Sequence, residues 1–128
     1  GAFGPWYGDA PCGIEEFRRS ARRLAAIGAA TCVVSHEGPV LRGPIAGKVE
    51  EYLSAIDRRE DALREFLREP RTREEIIARR LVCGPGNDWW WLDYAEWSLL
   101  SKHLEGMILR GEASFADGRY RLSASSPP

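Results

Sequence analysis

Apolar side chains recur at helical spacing in the first stretch of regular pattern along the chain. Ile14, Phe17, Ala21 and Leu24 share one face, and Arg18, Arg19, Arg22 and Arg23 occupy the other. Glu15 and Glu16 in the first turn suit the helix dipole, and Gly28 is a natural stop. Ala29 to Val34 is a short apolar run with Thr31, Val33 and Val34, the pattern of a buried strand. Ser35 to Pro44 then reads as a loop by its glycines and prolines, with Pro44 suited to a first helical position. Ile45, Val49, Tyr52, Leu53, Ile56, Leu63, Phe66 and Leu67 make the stripe of a long helix. It should end near Glu69, since Pro70 disfavours the helical conformation before it.

Beyond Pro70 the elements shorten. Thr72-Arg-Glu-Glu75 is a capping box that opens a helix running to about Leu81. Gly84 to Asp88 breaks the chain, and a third helix is predicted from about Tyr94 to Arg110. Its inward face is Trp97, Leu100, Leu104, Met107 and Ile108, and Gly111 is its cap. Glu112 to Leu122 alternates around Ala116-Asp117-Gly118, a hairpin signal. Helix, helix, helix, hairpin is winged-helix order. The predicted division is residues 1–69, then 70–123, then a frayed tail at 124–128, in a chain that is mostly α with a little β. A lone strand cannot make a sheet, so the first part calls for partners outside the chain or a second copy.

Composition narrows the classes. The chain has 128 residues, 44% hydrophobic and 29% charged, with a formal net charge of -1. That is a globular mix without the basic excess of a nucleic-acid or anionic-membrane binder. No apolar run approaches a membrane span and no signal-peptide layout opens the chain, which makes cytoplasm the default location. The first residue is Gly rather than Met, so a processed, engineered or cleaved N-terminus is expected. Cys12, Cys32 and Cys83 are odd in number and far apart, against both a disulfide framework and a zinc knuckle. Cys32 reads as a small buried hydrophobe.

Chemistry-bearing residues are few. His36 comes just after the apolar run, separated from Val34 by Ser35, and Glu37 beside it is a candidate base or supporting acceptor. With no H-x-H, no H-E-x-x-H and no Cys pair, His36 cannot build a three- or four-ligand metal site alone. His103 reads as a helix-surface or boundary histidine. G-x-S-x-G and phosphate-loop motifs are absent. In Trp89-Trp90-Trp91 consecutive side chains cannot all face one core, so at least one indole should be exposed or covered by a partner. Asp88, Asp93 and Glu96 nearby argue against stacked nucleic acid and for packing on another domain or subunit.

Four stretches carry a resemblance: Gly4-Pro-Trp-Tyr-Gly8 followed by Ile14 to Leu24; Val33-Val-Ser-His-Glu-Gly-Pro-Val40; Val49-Glu-Glu-Tyr-Leu53 with Arg59-Glu60; and His103-Leu-Glu with the Gly111 hairpin. Together they resemble the C-terminal part of metallo-β-lactamase superfamily hydrolases, in the endoribonuclease-like subgroup with a winged-helix extension. The resemblance implies a partial α/β segment (helix–strand–helix) of that fold followed by a winged helix. It makes His36 the last metal-ligand histidine, facing a dinuclear zinc site in the intact parent. The family's H-x-H-x-D-H motif, its middle histidine and its bridging aspartate are missing. That aspartate is expected just ahead of Gly1, and Asp9 sits too late to replace it. The usual Pro-Gly before the histidine is Val34-Ser35, and Glu37 intrudes after it.

The resulting expectation is the C-terminal portion of a zinc hydrolase, inactive alone, with no zinc held tightly. Its expected partners are the N-terminal part of the same hydrolase or a second copy, rather than nucleic acid or membrane. The alternative is a free-standing winged-helix module that binds nucleic acid, interacts with protein or dimerises.

Overall fold

The computed structural model describes residues 4–36, 38–86 and 88–124, and these are mostly α with a little β. The expectations placed on Glu37, on Asn87 within the Gly84–Asp88 break, and on the tail from residue 125 lie outside them. The chain divides into two compact units, Gly1–Asp57 and Arg58–Pro128, with the division falling inside the longest helix.

In the first unit, α1 (Ile14–Ala26) begins after an extended Gly13 that offers no side-chain cap. Its start depends instead on Glu15 and Glu16 in the first turn. Ile14, Phe17 and Ala21 are half-buried as the periodicity predicts, but Leu24 at the end of the same stripe is 64% exposed. Tyr7 is fully buried and meets Phe17 edge-on, ring centroids 5.8 Å apart. Arg22 pairs with Glu50 and Arg18 with Asp57, linking α1 to the first half of α2 (Ala46–Phe66).

The run read as a buried, unpartnered strand is neither. Its regular part, β1 (Thr31–Val33), pairs antiparallel with β2 (Val40–Arg42), which lies in the stretch assigned to loop. Val33 is 75% exposed and Cys32 is only half-buried. The sequence pattern reports that side chains are apolar, not whether a surface exists to cover them. Two three-residue strands, one helix and half of another supply little such surface.

In the second unit, Leu63 of α2 and Leu67 just beyond its end close a core with Ile76 and with Leu100, Leu104 and Met107. Ile76 comes from α3 (Arg73–Arg79) and the last three from α4 (Leu92–Leu109), at spacings of four and three. Ala113 of β3 (Ala113–Ala116) completes it, and β3 pairs antiparallel with β4 (Arg119–Leu122). Thr72 caps α3 as its motif predicts: its hydroxyl accepts from the Glu75 N–H, and the Glu75 carboxylate accepts from the Thr72 N–H. Asp117 and Gly118, with φ of 53° and 72°, form the tight turn signalled by Asp-Gly. At the end of α4, Gly111 donates to Ile108 and Glu112 to Met107, the paired bonds of a glycine-terminated helix. Ile108, predicted inward, is exposed. Between α2 and α3, Arg71 exchanges two backbone hydrogen bonds with Tyr120 of β4, at 2.9 and 2.8 Å.

Candidate functional site

His36 lies in the turn joining β1 to β2, exposed, with φ of 58°. That left-handed conformation is uncommon outside glycine, and histidine is among the residues that adopt it more readily. The turn is tight because Gly38 passes close to Val34: a Cβ at position 38 would lie 2.5 Å from Val34 Cγ1. Asp9, also exposed, accepts a hydrogen bond from Trp6 Nε1 at 3.2 Å. Among the described residues no three His, Cys, Asp or Glu side chains gather as a metal site. The described residues taken alone therefore do not fit a resident zinc ion, because one exposed imidazole falls short of the three protein ligands that even an open site needs.

A second polar constellation was not anticipated. His103, expected at the helix surface or boundary, is fully buried. Its position explains this: it stands three residues after Leu100 and four before Met107, on the inward stripe of α4. Its Nδ1 lies 3.0 Å from Glu60 Oε2, and an ionised carboxylate only accepts, so Nδ1 carries the proton. Glu60 Oε1 also accepts from Arg110 at 2.7 Å and from Arg64 at 3.2 Å. Both guanidiniums continue to Glu112, with Arg64 donating at 2.9 Å and Arg110 at 2.8 Å. The hydrogen bond from His103 holds the Glu60 carboxyl below its ordinary range despite partial burial, with Arg110 and Arg64 assisting. The Arg110 hydrogen bond, then that of Arg64, brings Glu112 down to about 2. A carboxylate so fully used by donors is a poor base, and the cluster ties α2 to α4 and to the start of the hairpin. Arg59, beside Glu60, is also buried.

Glu96 is fully buried on α4 and accepts the backbone N–H groups of Val82 and Cys83, the latter at 2.6 Å. It thereby anchors the chain as it leaves α3. Burial, reinforced by the Glu96 carboxylate, pushes the Cys83 thiol up to about 12. At pH 8 the thiolate fraction is then about one in ten thousand, against about a quarter for a free cysteine. In a Cys12→Ser, Cys32→Ser background, alkylation by iodoacetamide is expected to be at least about a hundredfold slower than in the urea-unfolded chain. A rate within about tenfold of the unfolded chain's contradicts this arrangement.

The three consecutive tryptophans do not all enter the core, as expected for adjacent side chains. Trp91 is half-buried and meets Trp89 edge-on, whereas Trp90 is 92% and Trp89 68% exposed. Tyr94, one turn further on, is 64% exposed.

No protein-family model matches this chain, and no curated protein matches it. Among solved structures it is similar to a metallo-beta-lactamase family protein from Thermus thermophilus, with a TM-score of 0.63 and 26% sequence identity. The match covers 84% of this chain and 33% of that one, so this chain spans about a third of that protein's length. This likeness supports the metallo-β-lactamase superfamily. No described helix is long and apolar enough to cross a membrane.

Proposed function

We propose that the chain is the C-terminal portion of a zinc-dependent hydrolase of the metallo-β-lactamase superfamily, inactive alone, to which His36 contributes one metal ligand. The observation that carries the reading is the likeness to one third of a metallo-beta-lactamase family protein. In such a hydrolase zinc polarises the scissile bond and activates water. What this chain contributes is an imidazole on a short, glycine-shaped turn and a second unit in winged-helix order. Pairing of Arg71, between the first and second helices of that unit, with β4 supports the winged-helix reading. The near-neutral charge of the chain speaks against a nucleic-acid partner.

The exposed apolar side chains Leu24, Ile27, Val33, Val34 and Val40 belong to α1, β1, β2 and their flanks. Contiguous apolar surface is rarely left bare in soluble monomers. The proposed cover is the N-terminal part of the same hydrolase and, when that is absent, a second copy of the chain. Light scattering on the chain alone is expected to show a dimer or larger species that Val33→Lys disperses. A strictly monomeric chain without dye-binding apolar surface contradicts the missing cover. The hydrolase reading is tested by the sequence encoded ahead of Gly1. An H-x-H-x-D-H motif there supports it, and a coding region without one removes it.

A further inference from the structure

We propose that Trp89, Trp90 and Tyr94 form a docking surface for an arginine- or lysine-bearing segment of a partner protein. Three large aromatic side chains within six residues stand mostly in solvent, a costly arrangement unless something covers them. The charge around them selects the chemistry of the cover. From Val82 to Ser101 the chain carries Asp88, Asp93 and Glu96 and not one Lys or Arg. Glu96 is turned inward to the Val82 and Cys83 amides, and Asp93 pairs with Arg80. Asp88, exposed and directly before Trp89, has no ion-pair partner among the described residues.

A guanidinium or ammonium laid on an indole face gains from the ring quadrupole, and a neighbouring carboxylate adds charge attraction. The second unit already uses this contact internally: Arg73 lies 4.7 Å from the centre of the Trp97 ring, and Arg71 4.4 Å from that of Phe66. Trp90 and Trp89 offer the same acceptor face without a donor from their own stretch of chain. The N-terminal end of α4, which by its dipole disfavours a cation, carries Asp93 in its first turn as an offset. Nucleic acid is a poor occupant, since phosphates would face the exposed Asp88, and Arg80, the cation beside Asp93, is already engaged by that carboxylate. A purely apolar partner would leave Asp88 desolvated and unpaired. The proposal is independent of the metal-hydrolase reading.

The test uses the whole chain and a capped hexapeptide of alternating Gly and Arg, followed by indole fluorescence and amide chemical shifts. Saturable binding is expected, with the Trp90 indole among the shifted signals. The isosteric Gly-citrulline peptide is expected to bind at least about tenfold more weakly, since it keeps the shape and loses the charge. Trp90→Ala and Asp88→Asn should each weaken binding of the Arg peptide by about five- to tenfold while leaving the far-UV circular dichroism unchanged. Equal binding of the citrulline peptide, an unchanged affinity in Trp90→Ala, or no binding of the Arg peptide overturns the proposal.

Discussion

Glu60→Ala is expected to destabilise the Arg58–Pro128 unit by about 2–3 kcal/mol, because it leaves a buried imidazole and two guanidiniums without their shared acceptor. The figure sits at the lower end for broken buried pairs, since the Glu60 side chain keeps 24% exposure through which water can enter. Urea unfolding followed by circular dichroism measures it, and a loss below about 1 kcal/mol, the net value of one ordinary hydrogen bond, contradicts the shared-acceptor geometry. Glu60→Gln, which keeps an acceptor oxygen but not the charge, should fall between. Acid provides an independent reading. The folded state holds Glu60 below its ordinary value of 4.5, so the unfolded chain takes up its proton first as pH falls. The contribution is fully present above that value and is lost as pH drops through the depressed range. Glu112, held at about 2, extends the loss in the same direction. The native chain should therefore lose stability steadily from about pH 4.5 toward pH 2, and Glu60→Ala should show a shallower fall over that window.

Much of the second unit was legible because its signals are local. A capping box, an Asp-Gly turn and a helix-terminating glycine each set backbone geometry within a few residues, and Thr72, Asp117 and Gly111 all act as those rules require. The burial of His103 and its pairing with Glu60 are not legible locally, because burial depends on which element arrives opposite. The available clue lay in the stripes themselves. The apolar series of α2 skips from Ile56 to Leu63 across Arg59 and Glu60, and His103 occupies an inward position between Leu100 and Met107. Polar residues on a core stripe at facing positions of two helices can satisfy one another. In the first unit, β2 escaped notice because Val40-Leu41-Arg42 is three residues flanked by Pro39 and Gly43, too short for alternation to register. The metal-ligand reading of His36 comes only from the resemblance. An exposed histidine in a turn carries no local mark of ligation, and no three His, Cys, Asp or Glu side chains gather as a metal site among the described residues.

The most direct test of the central claim is zinc content after equilibrium dialysis. It compares the chain alone with the chain joined to the segment encoded ahead of Gly1, each with and without His36→Ala. The chain alone is expected to retain well under one equivalent, because a single imidazole does not meet the three- or four-ligand requirement of zinc. The longer protein should retain zinc through dialysis. His36→Ala there should reduce the bound metal and lower hydrolysis by at least about a hundredfold, since an incomplete ligand set fails to hold the ion that activates water. A tight equivalent of zinc on the chain alone, lost with His36→Ala, would contradict the account. So would a longer protein in which His36→Ala leaves both metal content and turnover unchanged.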